Sequence, residues 1–258
     1  MNQISASKTF IYLSNCFVQY LSHSSPPSSG TGGAFSSEKP FALKATIILD
    51  YQNVHITGVK LLGSHYGNHQ HYIDPIRFAE TLIEERNSRI REGYALANVS
   101  KVLVYRGLPS NIHNPTQYAR NLTQAAFWER DKRVIITHRP LKYVFARDDM
   151  GKAVLNNNGS KIPIGKQEKG IDVLCALALV REVRTADLVI LASQDTDLIP
   201  AINEATALRL GKVETCSWYL KGNHSSREIR SELLPVWNTR LDANNFDRSR
   251  DKNDYSKD

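Results

Sequence analysis

The chain has 258 residues, of which 41% are hydrophobic, and a formal net charge of +7. That is enough apolar material for one sizeable core, and the basic surplus points to a polyanionic partner. The three cysteines, Cys16, Cys175 and Cys216, stand far apart without paired spacing; this excludes a disulfide framework or a zinc knuckle and fits a reducing cytoplasm.

The first element in chain order is Thr9–Leu21, apolar enough to raise a signal peptide. Ser14, Asn15 and Gln19 interrupt it, no small-x-small cleavage site follows, and it is too short to span a bilayer. It reads as a leader, and no membrane association is expected. Residues 22–40, SHSSPPSSGTGGAFSSEKP, carry too little apolar surface to fold alone and read as a linker, so residues 1–40 are expected to be disordered and a single domain to occupy 41–241.

Within that domain Ala45–Leu49 is the first strand and runs into Asp50. Gly58–Tyr72 reads as a long connection holding His65, His69 and His71, with no Cys beside them. A substrate-facing loop or plain surface is the stronger reading there, ahead of zinc. Helical periodicity then predicts helices over Ile76–Arg91, Thr116–Arg130, Ile171–Arg184 and Leu198–Leu208. β-Branched runs predict strands over Lys101–Tyr105, Val134–Thr137, Leu188–Ala192 and Lys212–Trp218. Alternation of this kind builds an α/β fold, with three layers and a central, mainly parallel sheet. Residues 242–258 mix five Asp with four Arg or Lys and offer only Phe246 and Tyr255 as large apolar groups, so they read as a disordered polar tail.

Arg139–Lys169 carries Arg139, Lys142, Arg147, Lys152, Lys161, Lys166 and Lys169 against only Asp148, Asp149 and Glu168. Tyr143 and Phe145 lie in the same stretch, either as platforms for single-stranded bases or as the packed side of a strand. Asp149–Gly165 reads as a flap turning at Asn156–Gly159. Lys166 and Lys169, just before a helix, are the first candidates for phosphate contact, followed by Arg139, Lys142 and Arg147.

Ligands gather at the carboxyl ends of parallel strands, where two apolar strands here end in acid: Leu49 runs into Asp50, and Ala192 runs into Ser193, Gln194, Asp195, Thr196 and Asp197. A third carboxylate, Asp172, opens an apolar helix. Each alone is explained by helix capping or by the helix dipole. Together they would repel one another unless a cation or a shared proton compensates, and a hard ion such as magnesium or manganese suits an all-carboxylate set.

Asp50-x-x-Asn53 closing the first strand, Lys169-Gly170-Ile171-Asp172 opening a helix and Ser193-x-Asp195-x-Asp197 closing a later strand resemble the NYN-domain family of PIN-like ribonucleases over roughly Lys44 to Leu220. The resemblance implies a PIN-like fold and an endoribonuclease that hydrolyses RNA with Mg2+ or Mn2+. Asp50, Asp172 and Asp195 would hold the metal and, with Asp197, form the catalytic set; Asn53 and Ser193 would orient waters or the carboxylates. The implied partner is RNA, and the sequence leaves room for a homo-oligomer.

Two other enzyme classes fit less well. A haloacid-dehalogenase-type phosphatase needs a second Asp where Gln52 stands, and a dinucleotide-binding domain needs a glycine-rich turn that Asp50-Tyr51-Gln52-Asn53 does not supply. The remaining alternative is a catalytically weak or inactive RNA-binding module on the same fold.

Overall fold

The computed structural model describes residues 42–63, 72–223 and 226–255. The leader and linker, Cys16 and the His65, His69 and His71 group lie outside the described residues. In chain order the first half runs β1 (Leu43–Asp50), α1 (Tyr51–Leu62), α2 (Pro75–Ser88), β2 (Ala97–Leu108), α3 (Pro115–Trp128) and β3 (Val134–Pro140). A hairpin of β4 (Lys142–Phe145) and β5 (Pro163–Gln167) leads into α4 (Ile171–Glu182), β6 (Leu188–Ala192), a 3-10 turn (Thr196–Leu198) and α5 (Ile199–Ala207). Strands β7 (Lys212–Trp218) and β8 (Trp237–Leu241) and helix α6 (Ala243–Ser249) complete the chain.

Six strands form one parallel sheet in the order β3-β2-β1-β6-β7-β8. Central β1 is buried continuously from Ala45 to Asp50, as expected for a strand covered on both faces. Its side chains alternate between two cores: Ala45, Ile47 and Leu49 pack with α1, α2, Trp128 of α3 and Phe246 of α6, whereas Ile48 packs with Ile171, Cys175 and Leu179 of α4 and Ile202 of α5. The protein is therefore a three-layer α/β/α fold. The chain adds β2 and β3 on one side of β1 and β6, β7 and β8 on the other, so the direction of winding reverses between β1 and β6. In doubly wound sheets, ligands bind outside the carboxyl ends of the strands at such a reversal.

The helices begin where side chains can satisfy free backbone N–H groups. Asp74 accepts from the N–H of Ile76 and of Arg77 at 3.0 and 3.1 Å, with Pro75 in the first turn, and Asn114 with Pro115 plays the same part for α3. Across the sheet, Arg86 of α2 and Glu214 of β7 form a two-pronged ion pair at 3.0 and 3.1 Å, each side chain only 1% exposed. No helix among the described residues is long and apolar enough to cross a membrane.

Two expectations are corrected. The connection expected from Gly58 onward is helical as far as Leu62, and α1 begins directly after Asp50. Its buried residues Tyr51, Val54, Gly58, Leu61 and Leu62 recur at helical spacing, but β-branched neighbours and Gly58 give the segment weak intrinsic helix preference. The tail expected to be disordered from Asp242 instead forms α6, started by a reciprocal Asp242–Asn245 capping box and buried through Phe246. One aromatic group filling a hole beside Trp218 outweighs the polar composition around it.

Gly58 is required by close packing: a Cβ there would stand 2.8 Å from both Phe246 Cε2 and Trp218 Nε1. The indole is itself tied by Nε1–H to the Val54 carbonyl at 2.8 Å. Gly58→Ala should gain about 1 kcal/mol of helix preference yet lose roughly 1–3 kcal/mol to overpacking. A net loss of stability in urea unfolding is expected; a gain would contradict the close approach.

Candidate active site

The geometry starts from neighbouring strand ends, because Leu49 of β1 lies opposite Ala192 of β6 and the next residues are Asp50 and Ser193. Asp50, 3% exposed, caps α1 by accepting from the Asn53 N–H at 3.2 Å and also accepts from the Ser193 hydroxyl at 3.0 Å. Ser193 Oγ accepts in turn from the Asp195 N–H at 3.2 Å. Asn53 Oδ1 accepts from the Gln194 N–H at 2.9 Å, so the loop after β6 is fastened to the first turn of α1 at two points. Asp195 caps the 3-10 turn by accepting from the Asp197 N–H at 3.0 Å. Capping and site membership thus coexist in Asp50 and Asp195.

Asp172 lies in the first turn of α4, exposed, behind Gly170, whose φ of +78° is the left-handed conformation that glycine favours. Asp197 is also exposed, and Asp195 half-buried. A further carboxylate, from the charged stretch Arg139–Lys169, joins them. Glu168 accepts a short hydrogen bond from the Gly107 N–H at the end of β2. A Cβ on residue 107 would come within 2.6 Å of Glu168 Oε1, so glycine is what admits the carboxylate. Its position four residues before Asp172 was the available signal.

The electrostatics link these groups. Burial pushes the Asp50 pKa up to about 7, against the hydrogen bonds from Asn53 and Ser193, and the Glu168 and Asp172 charges add to the rise. Asp172 is raised by partial burial and then by Asp195 and Asp197; Glu168 is raised by burial and by Asp172, despite its bond to Gly107. The Cys175 thiol beneath them is pushed up by burial and by Asp50, Asp172 and Glu168. Asp50, Glu168, Asp172, Asp195 and Asp197 therefore share one field.

Among the described residues no three acidic, His or Cys side chains stand close enough to grip an ion as they are. The donor chemistry nevertheless fits a hard divalent ion: every carboxylate here is an oxygen donor, and three are held above their ordinary range by burial and by one another's charge.

The basic residues divide. Arg139 donates from Nε to the Lys169 carbonyl at 2.8 Å, Arg147 to the Gly151 carbonyl at 2.6 Å, and Lys166 to Gln117 Oε1 at 2.6 Å. Lys169 acts on the rim itself, lowering the Asp172 pKa against the larger influences that raise it. Lys142 sits on β4 opposite Gln167. Tyr143 and Phe145 pack against His113 at ring separations of 4.9 and 5.1 Å, and the Ser110 N–H donates to the Tyr143 hydroxyl at 3.0 Å. These rings latch the hairpin to the loop before α3; they are the packed side of a strand. The expected turn is present, with Asn156 Oδ1 accepting from the N–H groups of Asn158 and Ser160.

The described residues thus define a doubly wound α/β protein with a carboxylate-lined rim at its switch point. In the comparison with solved structures, a crystal structure of a protein of unknown function from Vibrio parahaemolyticus matches at a TM-score of 0.37 and 18% identity, covering 68% of this chain and 81% of that one. No family model and no curated protein matches the chain.

Proposed function

We propose that the protein is a metal-dependent endoribonuclease of the NYN, PIN-like type, acting on RNA in the cytoplasm. The observation that carries this reading is the convergence of Asp50, Glu168, Asp172, Asp195 and Asp197 on one rim, with Asp50 ionising only near pH 7. Such crowding of like charge is costly unless a cation offsets it. Asp50, Asp172 and Asp195 would hold magnesium or manganese, with Glu168 beside them. A divalent ion bound there supplies an activated water near neutral pH and offsets charge on the attacked phosphate.

The chain's own groups have distinct tasks in this scheme. Ser193 fixes one oxygen of Asp50, and Asn53 fixes the loop that carries Asp195. Glu168, bonded to Gly107, holds negative charge beside Asp50 and Asp172. Lys169, whose charge acts on Asp172, would meet a substrate phosphate, with Arg139 folded over the start of α4. Buried free thiols at Cys175 and Cys216 fit a reducing compartment.

The deciding assay is cleavage of single-stranded RNA with magnesium or manganese and with chelator. Cleavage that needs either ion is the expected result; equal cleavage in chelator, or none with either ion, overturns the proposal. Glu168→Gln, folded by its melting curve, should lower the rate roughly 10–100-fold, the usual effect of removing a group that supports metal ligands. An unchanged rate would remove Glu168 from the site.

A further inference from the structure

At the β8 edge of the sheet a cleft of about 430 Å3 is lined by Arg89, Glu228, Arg230, Trp237, Asn238 and Arg240, among others. Clefts of roughly 300–1,000 Å3 are the size that holds small ligands and single nucleotide units. Glu228 receives Arg230 at 2.8 Å and also Arg240, so one carboxylate orients two guanidinium groups without cancelling their combined charge. Their side chains remain 72% and 48% exposed, leaving N–H groups toward solvent.

Trp237 completes the set. It is 47% exposed, whereas Trp128 and Trp218 are each 2% exposed and serve the core. Strand β8 buries Thr239 and Leu241, while Trp237 at its first position stays exposed. A half-exposed indole lining the same cleft as two oriented guanidinium groups is the chemistry that stacks a base and binds the adjoining phosphate. A peptide added to the β8 edge would rely on backbone bonding and has no use for three arginines.

The cleft is connected to the carboxylate rim. Gln194, next to Asp195, donates from Nε2 to the Arg227 carbonyl at 2.6 Å, and Arg230 follows three residues later, at most about 10 Å of extended chain. We infer that this cleft is a nucleotide-binding subsite that anchors single-stranded RNA outside the cleavage centre, with a base on Trp237 and a phosphate on Arg230 and Arg240. The identity of the polymer rests on the ribonuclease reading; recognition of a nucleotide monophosphate does not.

Two measurements on the full chain test it: tryptophan fluorescence with added AMP, and anisotropy of a fluorescein-labelled oligoadenylate. AMP should quench saturably and inorganic phosphate at the same concentration should not. The Arg230→Ala/Arg240→Ala double variant should lose most of the quenching and flatten the salt dependence of oligonucleotide affinity by about 0.7, the value for one lost phosphate contact. Trp237→Leu should weaken the oligonucleotide roughly tenfold, while Trp237→Tyr, which keeps a stacking face, stays near the parent. Unchanged affinity in Trp237→Leu and in the double variant overturns the proposal, as does equal quenching by phosphate, which marks a bare anion site. Binding through Trp237 without RNA cleavage leaves the subsite standing and removes the ribonuclease reading; cleavage with parent-like binding in every cleft variant does the reverse.

Discussion

Asp50→Asn should lose RNA cleavage by roughly a thousandfold, well beyond the 10–100-fold typical of groups that only support metal ligands, and should melt higher than the parent in metal-free buffer at pH 8. The two effects share one cause. Asp50 is 3% exposed, and burial raises its pKa from 3.8 to about 7 in the folded protein. Between those values the folded chain binds the proton that the unfolded chain has released, so stability falls as pH rises from about 4 to about 7. Above that window the full cost is present, on the order of 4 kcal/mol for a shift of this size. Asparagine keeps the shape and the hydrogen bond from the Asn53 N–H but cannot ionise, so this pH dependence should disappear.

Manganese gives the complementary measurement. It should raise the melting temperature of the parent at pH 8 and do so far less in Asp50→Asn, because an ion at free concentration c that binds the native state stabilises it by RT ln(1 + c/Kd), which shrinks as Kd rises. Full cleavage activity in the variant would remove Asp50 from the catalytic set. A lower metal-free melting temperature at pH 8 would show that its cap on α1 outweighs the burial of its charge.

Removal of residues 242–258 should leave the chain insoluble or unfolded. Phe246 is fully buried, its ring 5.4 Å from Trp218 in a T-shaped contact, and Phe246→Ala alone should cost about 3–5 kcal/mol. The deletion takes more than this ring. Asp251 accepts from Trp128 Nε1 at 2.8 Å and from the Tyr255 hydroxyl at 2.6 Å, and the Ser249 carbonyl accepts from the Asp74 N–H at 2.9 Å, at the start of α2. Losing all of these against a typical total stability of about 5–15 kcal/mol leaves little margin. Soluble expression and thermal melting check the result; a soluble truncation that melts with the parent would show that α6 only decorates the surface.

How much of this was legible in the sequence follows from how each element earns its place. β1 and β6 announce themselves because a strand covered on both faces must be an unbroken apolar run, and α2, α3, α4 and α5 because one face of each repeats at helical spacing. The positions of Asp50, Asp195 and Asp197 were legible because they follow apolar strands, whose ends share one rim in a parallel sheet, and that of Asp172 because it opens the apolar run of α4. Helix α1 was hidden by β-branched residues and Gly58, whose cost is offset only by the Trp218 and Phe246 rings packed on it.

What only the tertiary structure decided are the features whose partners lie far away in the chain. Glu168 joins the rim because Gly107, sixty-one residues earlier, offers it an N–H and no side chain. Phe246 turns a polar segment into a buried helix because β7 and α2 leave a space beside Trp218 that the ring fills. Tyr143 and Phe145 latch a hairpin rather than face solvent because His113 lies across from them. Apolar periodicity is a local property and by itself determined β1, β2, β3, β6 and β7, helices α2 to α5 and the acidic ends of β1 and β6, whereas the edge strand β8 carried no such signal. Burial of a single ring or carboxylate depends on which distant residue leaves room for it, and that is settled only when the chain has packed.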